Sequence, residues 1–196
     1  MRDKLAAMTD VHSSSIPAGL AAGHPAGQED PACEVAHGAA PAPAVTRTLV
    51  AVFDSPVARY LLRYAGDAGF RPVLVEPDPQ HTEAADDGLI VADGFEGYLG
   101  GSTDVVVTDH HRPELGLVLR DALAGPTRWV GVMGNPRHPA PHIPALAALG
   151  VADTDIGRVH RPIGLNIGSR TPAEIAVATL AGLIADRNGR PGGFEF

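Results

Sequence analysis

From Thr48 onward, short apolar runs rich in β-branched residues alternate with segments of helical spacing, and that alternation leaves few folds open. The runs are Thr48 to Phe53, PVLVEP (72–77), GLIVAD (88–93), TDVVVTD (103–109) and TRWVGVMG (127–134). Continuous Val/Ile/Leu runs belong to strands covered on both faces, as in parallel sheets flanked by helices. Between the first two runs, Ser55 is a good N-cap and Pro56 suits the first helical position. Val57, Leu61, Tyr64, Ala65 and Ala68 then recur on one helical face, and Gly69 ends it. PELGLVLRDALAG (113–125) and HIPALAALG (142–150) read as helices closed by glycine. TPAEIAVATLAGLIADRNG (171–189) opens on a capping box, Thr171 with Glu174, and is apolar almost all round, which predicts heavy burial. The expected fold is α/β: a single doubly wound, Rossmann-like domain over 47–193 with a mainly parallel sheet and right-handed crossovers.

Residues 1–46 read differently. They are rich in Ala, Gly, Pro, Ser and His, show no sustained period, and are expected to be a low-complexity, disordered tail. A short helix over Arg2 to Thr9 would be marginal alone. With 44% hydrophobic and 5% aromatic residues the core is aliphatic. A net charge of −8 with scattered Lys and Arg argues against nucleic acid or an anionic membrane as partner. One cysteine, Cys33, excludes an intramolecular disulfide or a multi-cysteine metal site. The opening MRDKLAAMTDVHSSS has no signal-like apolar core, and no run reaches the roughly 20 residues of a membrane span. A cytoplasmic location is the expectation.

In open parallel sheets ligands sit beyond the carboxyl ends of the strands. The first end offers Asp54, Ser55 and Pro56 where a dinucleotide fold keeps glycines. Asp54 puts a charge at a helix N-terminus and Pro56 removes an N–H, so diphosphate binding in the usual pose is weakened by more than about 1 kcal/mol. The plain structural alternative is that Asp54 and Ser55 cap the helix. The second end carries Glu76, 22 residues beyond Asp54, about where that fold keeps its ribose-binding acid. The third carries Thr108, Asp109, His110 and His111, read as a ligand-contacting loop or simply a solvated one. Adjacent histidines diverge, and no metal-ligand spacing supports them; His81, His138, His142 and His160 are remote. The last end carries Gly131, Gly134 and Asn135.

The stretch RPIGLNIGSRT (161–171) is the most informative. Gly164 and Gly168 in an apolar loop imply tight turns or close backbone approach, with Asn166 between them and Arg161 and Arg170 at the ends. The loop feeds the capped helix, so it docks that helix, touches a ligand, or does both.

RVHRPIGLNIGSRTPAEIAVATLAGLIADRNGRPGG (158–193) closely resembles the C-terminal signature of the xanthine dehydrogenase accessory proteins, the XdhC/CoxI family. RWVGVMGN is similar to that family's strand and glycine turn, and VVVTDHH to its fourth-strand edge; the resemblance spans about 48–193. It implies a Rossmann domain in a protein that assists molybdenum hydroxylases by binding molybdenum cofactor, as molybdopterin or its nucleotide form, and aiding its sulfuration or insertion. Two departures stand out. The family's first turn resembles GAGxVA, whereas here Phe53 is followed by Asp54-Ser55-Pro56-Val57-Ala58, with no glycine. Residues 1–46 also do not resemble the cysteine-bearing N-terminal domain usual in the family.

The leading expectation is therefore a maturation factor or scaffold rather than a catalyst, with contacts at 54–56, 108–111, 131–135 and 161–170. Its partners would be a molybdenum hydroxylase, another maturation protein, a separate chain supplying the N-terminal domain, or a second copy of itself. The alternative is an NAD(P)-binding oxidoreductase with a degenerate glycine turn, which Glu76 favours and the missing glycines oppose. A third reading, a metal-dependent hydrolase, would rest on Asp109, His110 and His111.

Overall fold

The computed structural model of the 196-residue chain describes residues 31–40, 47–82, 89–135 and 137–193. The chain divides into two compact units, 1–43 and 44–196. Within the first lies helix α1 (Pro31–Ala36), which carries the exposed Cys33. The tail reading had no element there, because six residues are too few for a period to show. The expected helix at Arg2 to Thr9 lies outside the described residues.

The second unit holds six strands: β1 (Thr48–Val52), β2 (Arg71–Val75), β3 (Ile90–Ala92), β4 (Thr103–Val107), β5 (Trp129–Val132) and β6 (Val159–His160). Their order is β3-β2-β1-β4-β5-β6, and every neighbouring pair is parallel. This is the doubly wound arrangement expected, with strand order reversing between β1 and β4. Helices α2 (Pro56–Asp67), α3 (Leu115–Ala124), α4 (His142–Ala148), α5 (Asp153–Ile156) and α6 (Pro172–Arg187) complete it. Among the described residues no helix is long and apolar enough to cross a membrane.

Side-chain alternation divides the core into two layers. Val50, Val52, Val73, Val75, Val105 and Val107 meet Leu115, Leu119 and Leu146 of α3 and α4. Leu49, Ala51, Leu74 and Val106 point the other way, onto Leu61 and Leu62 of α2 and Leu180 and Leu183 of α6. Each fully buried leucine contributes about 1.5–3 kcal/mol. The buried face of α2 is turned from the one the spacing predicted: Ala58, Leu61, Leu62 and Ala65 are inside. Val57, Tyr64 and Ala68 are only partly covered, since the helix meets α6 as well as the sheet. Helix α6 is less enclosed than its composition suggested; Val177 remains 49% exposed.

At the amino ends of the strands, Asp104 is wholly buried and pairs with Arg47 and Arg128, which also reach Asp186 of α6. Burial raises the Asp104 carboxyl above its ordinary value despite the two arginines. This network fastens the last turn of α6 to the amino ends of the strands, the opposite edge of the sheet from the strand-end loops.

Candidate functional site

The turn after β1 is built without glycine. Phe53 takes a left-handed conformation, φ 72°, with its ring buried and the Arg112 guanidinium 4.7 Å from the ring centroid. Left-handed backbone at a bulky residue is costly and persists where packing over-determines it. Ser55 caps α2, its Oγ accepting from the Ala58 N–H at 3.1 Å. The Thr108 hydroxyl has Val52 and Phe53 carbonyls at 3.0 and 2.9 Å, so its proton goes to them. The Ser55 hydroxyl then donates to Thr108 Oγ1 at 3.0 Å. Both hydroxyls are thus committed to stitching β1, β4 and α2 together.

The carboxylate of Asp54 does not stand uncompensated at the helix start, as the sequence suggested. It turns to Arg59 one helical turn on, at 2.8 Å to Nε and 2.5 Å to Nη2, and is 2% exposed. The sequence-based electrostatic argument is corrected accordingly: the charge at this turn is compensated, and what leaves fewer N–H groups for an anion is the Ser55 cap and the missing Pro56 N–H. Ser55→Ala is expected to cost about 1 kcal/mol as a lost cap, and more if Thr108 loses its donor. Urea unfolding measures it, and a cost below a few tenths would show the cap to be idle.

Glu76 is likewise occupied. Its carboxylate is buried, bidentate with Arg112 at 2.9 and 3.2 Å, and accepts the backbone N–H groups of Asp54 (2.8 Å) and Asp78 (3.1 Å). A group with four donors around it has no lone pair left for a ribose hydroxyl.

Space for a ligand opens instead between the ends of β4 and β5 and the 161–170 loop, a cleft of about 700 Å³. Thr108, His110, Gly134, Asn135, Gly164, Asn166 and Gly168 line it, with Val57, Met133 and Ile175 as apolar wall. Gly164 brings the loop onto α6: it sits at φ 84°, and a Cβ there would lie 3.0–3.1 Å from the Ala178 and Thr179 backbone. Asp54, Ser55 and Pro56 face a separate, smaller pocket of about 360 Å³ beside Arg59 and Arg63. Gly131 lies beneath the Trp129 indole and Ile163, where a Cβ would come within 2.2–2.8 Å of them. Arg170 contributes its backbone N–H to the Glu174 carboxylate at 2.6 Å as part of the helix start, and the predicted capping box is present. Asp109 accepts the His111 N–H at 2.8 Å, and the rings of His110 and His111 lie 4.0 Å apart. Among the described residues no three His, Cys, Asp or Glu side chains are placed to hold a metal ion.

His142, at the start of α4, is 4% exposed and its Nδ1 has no partner. Burial lowers its basicity, and the Arg161 charge lowers it further; burial, His111 and Arg161 do the same to His110. A histidine with a depressed folded pKa is protonated more readily in the unfolded chain. Its contribution to stability is therefore complete above the ordinary value of 6.5 and is lost as pH falls through it. Wild-type melting temperature should fall between about pH 7.5 and 5 more steeply than that of His142→Gln. Parallel curves would remove His142 from the account.

These loops carry a recognisable pattern. A model of the XdhC Rossmann domain matches residues 49–183. The chain belongs to this family. XdhC-type likeness extends to Escherichia coli (strain K12) YqeB, described only as uncharacterized, at 40% identity over 68 residues, 35% of this chain and 13% of that protein. A Bacillus halodurans crystal structure described as a xanthine dehydrogenase superposes with a TM-score of 0.60 at 22% identity, over 74% of this chain and 45% of that one, and supports the fold alone. The chain thus spans less than half of either relative. Sequence reasoning found the XdhC signature and most of the cleft's polar rim. It missed Arg59, Arg112 and Arg137, whose roles depend on partners that spacing does not reveal.

Proposed function

We propose that this XdhC domain is an accessory module in the maturation of a molybdenum hydroxylase, holding molybdenum cofactor in the cleft rather than catalysing a reaction of its own. One observation carries the reading: residues 162–169 of the family's signature loop wall the cleft, while at the first turn Ser55 takes the Ala58 N–H and Glu76 is already held by Arg112.

The residues present suit a pterin-type ligand. The cleft's volume lies in the range of small-molecule sites. Its wall combines apolar side chains for a flat ring with the glycine-opened backbone at 164–168 and the Asn135 and Asn166 amides for a ring edge. When bound, the cofactor supplies the molybdenum chemistry; the chain shelters it and sets its orientation. The NAD(P) reading keeps the strand order in its favour but finds neither a glycine turn nor an available acid.

Gently purified protein should carry a pterin or pterin-nucleotide mass in native mass spectrometry, and should retrieve a molybdenum hydroxylase or a second maturation protein from its own lysate. Tight NAD(P) binding by calorimetry, with no pterin-type mass, would reverse the assignment.

A further inference from the structure

Arg161 lies against the cleft wall without an acid. Its guanidinium covers Gly134, where an added Cβ would come within 2.6 Å of Nε. Nη2 donates to the Asn135 carbonyl at 3.0 Å and Nη1 to that of His138 at 3.3 Å, while Nε is buried and unpartnered. Other partly buried arginines of the domain are matched: Arg112 with Glu76 and Glu114, Arg128 with Asp104 and Asp186, Arg59 with Asp54. Among the described residues no carboxylate stands within ion-pair distance of Arg161 or of Arg137 on the cleft rim. Asp109, beside His110, accepts the His111 N–H on one oxygen. Next to Arg161 are His110, in the cleft, and the 96%-enclosed His142, whose Nδ1 also lacks a partner.

Arg137 and Arg161 thus bring two guanidinium charges to this end, set against the single charge of Asp109 beside His110. Fixed cations at the rim of a cleft raise the local concentration of an anion there. Two groups on separate elements frame this end, the His110 imidazole at the end of β4 and the Arg137 guanidinium beyond β5. Groups on separate elements suit a tetrahedral anion, whose oxygens can be approached from several sides, better than a planar carboxylate.

We infer that the β5 end of the cleft is a phosphoryl-binding subsite in which His110 and Arg137 contact the anion and Arg161, through the Asn135 and His138 carbonyls, positions the loop bearing Arg137. The inference rests on the cleft being the ligand site, as proposed above, but any phosphate ester in that cleft would use it.

Calorimetric titration with inorganic phosphate at constant ionic strength tests it. Saturable one-to-one binding is expected, weakened roughly tenfold by Arg137→Met or by His110→Gln, the loss of one charge-assisted contact. Arg161→Met should weaken it as much, and Arg137→Met added to it should cost little more, because a positioning residue and the group it positions are not additive. Arg63→Met, in the smaller pocket, should leave affinity unchanged. Unaltered affinity in the exposed Arg137→Met variant, a loss in Arg63→Met, or acetate competing as well as phosphate overturns the subsite, whether or not Arg161→Met folds. Phosphate binding without a co-purifying pterin leaves the subsite standing and removes the cofactor reading; a pterin held by protein indifferent to phosphate does the reverse.

Discussion

Glu76→Ala is expected to lower the stability of the domain by about 3–5 kcal/mol and its melting temperature by on the order of 10 °C. The reason is what remains behind. Arg112 is 11% exposed and would keep a buried charge whose nearest acid, Glu114, sits at 3.2 Å on the solvent side. The Asp54 and Asp78 N–H groups would lose their acceptor as well. Breaking a buried pair costs more than the pair is worth, so Glu76→Leu combined with Arg112→Met should recover much of the loss. Thermal unfolding of the three proteins settles the matter. A single-variant cost below about 1 kcal/mol, or additive effects, would show that this pair does not organise the strand ends.

Gly164→Val should have the second large effect, on the cleft more than on the sheet. Position 164 combines a left-handed backbone with helix backbone 3.0–3.1 Å from any Cβ. The conformation alone costs about 1–3 kcal/mol for a branched residue. Main-chain atoms of α6 cannot yield as a side chain end would, so the loop must lift. Hydrogen exchange should report it at Leu165, whose N–H donates to the Ala178 carbonyl at 3.0 Å. Gly168→Val is the comparison: its φ is 70°, but nothing lies within 4 Å of an added Cβ. Gly164→Val should therefore cost at least about twice as much as Gly168→Val and abolish pterin co-purification. Equal costs would mean that helix contact contributes nothing.

The strands were legible because burial on both faces leaves an unbroken apolar run: β1, β4 and β5 each lie inside a predicted run, and β2 begins one residue before its own, at Arg71. Helix starts were legible because caps are local: Ser55 and Thr171 do what their positions suggested. Helix α5 and strand β6, four and two residues long, fall below any periodicity. The site was half legible. A signature loop with two glycines announces close approach, and the cleft formed there. The fate of a carboxylate depends on its partner, and neither Arg59 for Asp54 nor Arg112 for Glu76 is marked by anything but later geometry. Reading Glu76 by its distance from the first turn could not show that Arg112 and two backbone N–H groups already hold it.

The sheet places its two shortest strands at its two margins, β3 with three residues and β6 with two. A margin that brief offers little main chain for another strand to zip onto. Self-association by sheet extension is thereby discouraged at both sides. Contact with any other chain then falls to helices and loops, whose surfaces can vary without disturbing the strands beneath them.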